Sequence, residues 1–212
     1  IEVEIERHTE DPRKESYRPN LDTLNILGEP IDTKHEWLER KKFILPMLSS
    51  SLEELKSQIK DGKQPGDSLG LIKPKEIKKF VVKSVARDWT SKQKAILKQQ
   101  NLFNETIKDL DKIPYKFSFS FTCDNEKCKG HTLMIEDWEI CELYRNCFKK
   151  YKNEETAVQK VREKYEGFIQ NHDVYLILGT TKKDHFKKTF VIISVFSPKK
   201  AKEDNNLSLF CT

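Results

Sequence analysis

From Tyr115 to Cys123 every second residue is aromatic or a thiol: Tyr115, Phe117, Phe119, Phe121 and Cys123 share one parity, while Lys116, Ser118, Ser120 and Thr122 take the other. Successive side chains of an extended strand point to opposite faces, so a period of two predicts a strand with one buried aromatic face. It also sets what comes next, because Cys123 leaves the strand on the buried side. The run HTLMI after a short polar interval reads as a return strand. The residues between them are then a hairpin tip.

That tip, FTCDNEKCKGH, places Cys123, Cys128 and His131 within nine residues. Thiolate and imidazole are the donors Zn²⁺ prefers, and a short turn can bring them to roughly 2.0–2.3 Å from one ion. Gly130 suits a tight turn before His131. A tetrahedral structural site needs a fourth donor, and Cys141, at the start of the next helix, is the nearest candidate. Cys147 lies six residues on, about 240° around that helix, so it would not share the ion. The competing reading is that these are free thiols beside an exposed histidine. A structural zinc is expected over a catalytic one, which would need an open water position and a nearby base.

With 36% hydrophobic and 34% charged residues, the chain has a modest core under a highly charged surface and is not a disordered polymer. No apolar run approaches the roughly 18 residues of a membrane span. Five cysteines, an odd number, point to a reducing compartment, and the expected location is cytoplasmic. The chain opens on Ile1 and not Met, which leaves room for residues upstream. A net charge of +5, from 39 basic and 34 acidic residues, permits a nucleic-acid partner without demanding one.

Along the chain, the alternation in IEVEIE predicts a half-buried strand through Ile1, Val3 and Ile5, followed by a polar loop. A helix from about Thr33, with Trp37, Leu38 and Leu45 among its apolar positions, should stop near Pro46. Ser51 and Glu54 have capping-box spacing for a second helix, and Thr90 and Gln93 repeat it. Two short strands are expected around Pro74. Asp137 should cap a helix with an apolar stripe of Trp138, Cys141, Tyr144, Phe148 and Tyr151. Asn153 should cap another, with Val158, Val161, Tyr165, Phe168 and Ile169 facing inward. VYLILG and TFVIISVF read as core strands. The expected fold class is α+β, with mixed or antiparallel sheets and helices packed on one side. The expected organisation is a β-rich subdomain over 1–112, an α+β domain over 113–198 and a flexible tail over 199–212.

Three further features bear on function. His131, Asp137 and Glu139 could hold a metal for phosphodiester cleavage, although no lysine follows where nucleases place one, and capping with helix-dipole complementation explains the same acids. Lys73, Lys75, Lys78 and Lys79, with Lys182, Lys183, Lys187 and Lys188 in a basic turn, could contact the phosphates of DNA or RNA. Such lysines also blunt hairpins and sheet edges. In the tail, Leu207, Leu209 and Phe210 follow Asn206 in a pattern that resembles the peptide by which bacterial replication and repair proteins hold the sliding clamp. That motif usually has Gln where Asn206 stands.

The segments DPRKESYRP, GLIKPKEI, IPYKFSFSFTC, CKGH and IEDWE resemble parts of a poorly characterised family of small prokaryotic proteins with OB-like β-barrel modules linked to nucleic acids. The resemblance runs from about Asp11 to Pro198. It implies a prokaryotic, intracellular accessory protein acting in DNA repair, mobile-element biology or defence, and transfers no catalytic residue. The sequence therefore leads to a nucleic-acid-associated, non-enzymatic module with a structural zinc at Cys123, Cys128, His131 and Cys141. The alternatives are a metal-dependent nuclease and a protein-interaction module without metal.

Overall fold

The computed structural model describes residues 1–59, 66–95 and 111–200. The period-two segment is β6 (Tyr115–Thr122), central in an antiparallel sheet between β5 (Glu76–Ser84) and β7 (His131–Met134). Phe117, Phe119 and Phe121 are buried, as the alternation requires, and Phe80 of β5 packs against both Phe117 and Phe119. A second sheet has the order β3 (Leu48–Ser49), β4 (Leu69–Ile72), β8 (Tyr175–Thr180), β9 (Phe190–Phe196). β3 and β4 run parallel, and the other neighbours are antiparallel.

The two sheets meet edge to edge just past β7. Ile135 forms a parallel bridge with Ile192, and the Glu136 amide donates to the Ile192 carbonyl at 2.7 Å. Asp137 secures this seam. One carboxylate oxygen accepts from the Glu139 amide at 2.9 Å, capping α3 (Trp138–Tyr151), and the other accepts from the Val195 amide of β9 at 3.3 Å. α4 (Glu154–Asn171) is capped by Asn153, whose side chain accepts from the Thr156 amide. Tyr144 of α3 and Tyr165 of α4 close over the β5 and β6 phenylalanines.

α2 (Leu52–Gln58) adds Leu52 and Leu55 to the same core. Gly70 permits its close approach, since a Cβ there would lie 2.4 Å from a Leu55 methyl. The Ser51 hydroxyl accepts from the Glu54 amide as its spacing predicts, but the Glu54 carboxylate turns to the amide and hydroxyl of Ser50. Thr90 and Gln93 form the reciprocal pair, ahead of helical residues 91–95.

Several expectations need correction. The mixed α+β class is observed, but among the described residues no sheet closes into an OB-like barrel. Among the described residues β1 (Ile5–Arg7) pairs only with β2 (Tyr17–Pro19), and Ile1 and Ile5 are exposed where a half-buried strand was expected. α1 (Lys34–Ile44) carries left-handed backbone at His35, Glu36 and Trp37. Trp138, expected inward, is 66% exposed: the buried residue of the first turn of α3 is Ile140, which lies about 200° around the helix from it.

The N-terminal segment is held by a polar cluster that composition does not reveal. Arg13 pairs with the buried Asp11 and donates to the Thr180 carbonyl at 2.9 Å, while the Glu15 carboxylate accepts from the Ser68 amide and hydroxyl. His185, fully buried beside them, hydrogen-bonds Thr180 through Nδ1 at 2.8 Å, and its Nε2 has no partner among the described residues. Burial pushes the His185 pKa down, with Glu15 and Asp11 opposing and Arg13 reinforcing. A histidine kept neutral in the fold binds fewer protons than in the unfolded chain, so stability falls as pH drops through about 6.5. Urea unfolding at pH 7 and pH 5 should show a lower midpoint at pH 5, and His185→Gln should narrow the difference. Asp137→Ala should lower stability by about 1–3 kcal/mol in the same assay, since it removes a cap and leaves the Val195 amide unpaired.

Candidate metal centre

β6 delivers Cys123 to the buried side of the hairpin tip, where it is 4% exposed. The Asn125 carbonyl accepts from the Cys128 amide at 2.9 Å, and the Asn125 side chain accepts from the Lys127 amide at 2.9 Å. This turn folds Cys128 back so that its sulfur accepts from the Cys123 amide at 3.2 Å. Gly130 has φ +92°, in the region open to glycine, and it redirects the chain into β7 with His131 opposite Phe121. Cys128 Sγ and His131 Nε2 are then 3.4 Å apart. Two ligands at zinc bond lengths and a tetrahedral angle would be separated by about 3.5 Å.

The fourth donor comes from α2. Glu53 reaches the tip from 78 residues away in sequence, with Oε1 2.7 Å from His131 Nε2. Ligand atoms of Glu53, Cys123, Cys128 and His131 all lie within 4.8 Å of one another. The Ser51 hydroxyl, itself the α2 cap, accepts from Asn125 Nδ2 at 3.1 Å and braces the helix start against the tip.

The electrostatics of this group favour a cation. Burial pushes the Cys123 thiol up to about 11, the Leu52 amide offsets this in part, and the neighbouring Glu53 and Cys128 raise it further. Burial likewise disfavours ionised Glu53, but its own backbone amide and His131 bring it below its ordinary value. Glu53 Oε2 is buried without a hydrogen-bond partner among the described residues. Two thiols, an imidazole and a carboxylate with an orphaned oxygen fit Zn²⁺ in both donor softness and number.

Cys141 is not in this group. It sits half-buried on α3 against the main core, where burial raises its thiol pKa, and Cys147 packs against the same core. Nor do Asp137 and Glu139 join His131: Asp137 spends both oxygens on backbone amides, and Glu139 is exposed. Three of the eight lysines are paired with carboxylates. Lys73 pairs with Asp173, Lys75 with Asp124 and Lys187 with Asp184, while Lys78, Lys79, Lys182, Lys183 and Lys188 have no carboxylate partner among the described residues. Leu207, Leu209 and Phe210 lie outside the described residues. Glu53 escaped the sequence reading because an acid in the first turn of a helix is ordinarily a dipole partner.

Residues 48–212 match a family model described as Domain of unknown function (DUF8757), and residues 1–46 match one described as Domain of unknown function (DUF8758). No curated protein and no solved structure matches the chain. In the protein as purified, elemental analysis should find about one zinc per chain. Glu53→Gln and Cys128→Ser should weaken zinc binding by about 10–100-fold or more, a loss that removal of even an outer-sphere partner can cause. Cys141→Ser should keep it. Zinc lost from Cys141→Ser and retained in Glu53→Gln would reverse the assignment.

Proposed function

We propose that this chain, which belongs to the family described as Domain of unknown function (DUF8757), is a non-catalytic accessory module whose fold is clasped by a structural zinc at Glu53, Cys123, Cys128 and His131. The observation that carries this reading is the position of Glu53: a carboxylate from a distant helix, with one oxygen buried and unpartnered among the described residues, inserted into a Cys/His turn. The four donors leave no position that a water nucleophile would need, and neither of the two cavities described in this structure reaches them.

Zinc here ties the start of α2 to both ends of the β6–β7 tip. The connecting chain is long, so the bond removes a large loop-closure entropy from the folding transition. The metal also relieves a local conflict, since it neutralises thiolate and carboxylate charge that burial otherwise disfavours. Its chemistry is that of a cross-link, and the surface it stabilises is free to act in binding.

Because zinc binds the folded state, free metal at 100 times its Kd should add about 2.7 kcal/mol of stability. For a chain of this size that corresponds to a rise of roughly 5–10 °C in Tm. Differential scanning calorimetry of chelator-treated and zinc-loaded protein checks it. Equal Tm values would sink the structural role, and zinc-dependent hydrolysis of a nucleic acid that survives Asp137→Ala but not Glu53→Gln would point to catalysis at this centre.

A further inference from the structure

The end of α3, the start of α4 and the chain at 87–94 and 111–114 enclose a cavity of about 900 Å³. None of the zinc ligands lines it. Among the described residues its wall holds six basic ones, Arg87, Lys94, Lys112, Arg145, Lys149 and Lys152, against three acidic ones, Asp88, Asp111 and Glu154. Pairing leaves that excess in place, since the Arg87–Glu154 pair removes one charge of each sign. Glu154 is already neutralised by a two-pronged pair with Arg87 and accepts from the Tyr115 hydroxyl at 3.1 Å.

Lys94, Lys149 and Lys152 have no carboxylate partner among the described residues; Arg145 pairs with Glu142, and its buried Nε has no acceptor among the described residues. Lys149 and Lys152 complement the carbonyl end of α3, which accounts for a cation there. It does not account for Lys94, which arrives from a different segment. Cations converging from separate elements on one cavity are a means of holding an anion.

The same wall is aromatic. Phe148 is 40% exposed, and its ring lies parallel to that of Tyr144, 3° apart in plane with centroids 6.2 Å apart. Tyr144 is buried and packs beside Phe148, and both line the cavity. An exposed aromatic beside unpaired lysines suits a ligand with both a flat π-system and a phosphate. The volume lies in the range of pockets that enclose small molecules.

We propose that this cavity binds a nucleotide unit, its base stacked on Phe148 and its phosphate held by Lys94, Lys149 and Lys152. That unit is either a free nucleotide or one residue of a single strand, since both present the same chemistry. The site works through fixed aromatic and cationic groups and does not involve the metal.

Calorimetric titration of the zinc-loaded full chain with ATP, tripolyphosphate and a short oligothymidylate tests the proposal. ATP or the oligomer should bind, with tripolyphosphate weaker than ATP by about 5–150-fold, the worth of stacking a base. Phe148→Ala should cost a similar factor, Phe148→Tyr should restore most of it, and the exposed pair Lys149→Glu with Lys152→Glu should abolish binding while zinc content stays at the wild-type level. Oligomer binding that ATP does not compete away identifies a strand as the ligand, and equal competition identifies a free nucleotide. No binding of either at about 1 mM, tripolyphosphate binding as tightly as ATP, or an unchanged affinity in Phe148→Ala would each overturn the proposal.

Discussion

Phe117, Phe119 and Phe121 share one buried face of β6, and the surrounding elements are arranged to cover it. Each phenylalanine removed from water contributes about 1.5–3 kcal/mol, so no arrangement that exposes this face competes with one that buries it. Phe80 comes from the neighbouring strand, while Tyr144 and Tyr165 come from the two helices laid across the sheet. The strand is central in its sheet, with β5 and β7 on either side, so its register is held from two directions. Because the side-chain period is two, a slip of one residue would expose every aromatic at once.

That register also builds the candidate metal site. Cys123 continues the buried parity of β6 by one more position, so the constraint that buries the phenylalanines also turns the sulfur inward. His131 pairs with Phe121 across the hairpin, and its ring lies 5.4 Å from that phenylalanine ring. Core and centre are thus one construction. The hydrophobic face sets the strand, the strand sets two ligands, and the Asn125 turn brings in the third. α2 then supplies Glu53 because its own leucines are drawn into the same core.

The element pattern was largely legible. Capping residues announce their helices in this chain: Ser51, Asp137 and Asn153 each accept from an amide two or three residues on. These are local hydrogen bonds, and local sequence is enough to specify them. The α3 stripe was legible only in part, since Tyr144 is buried while Trp138 is exposed. Spacing identifies a shared helix face, but packing decides which face is covered, and in the first turn of α3 it is Ile140 that goes inward. The barrel expected from resemblance is absent among the described residues because the β7 edge meets β9 and not β5.

Three of the four donors, Cys123, Cys128 and His131, could be read from a nine-residue window, because short-range spacing and turn chemistry settle which side chains meet in a hairpin tip. The fourth could not. Cys141 was the better guess by distance along the chain and by ligand type, and Glu53 displaced it through packing between elements 70 residues apart in sequence. The buried His185 and the Phe148 cavity are of the same kind, since each depends on which helix ends and loops are brought together. Sequence by itself determined what repeats along the backbone, namely strand parity, helix caps and turn residues. Tertiary structure alone decided which distant groups share a site, because that choice follows from how the apolar faces fit and not from the residues that end up meeting there.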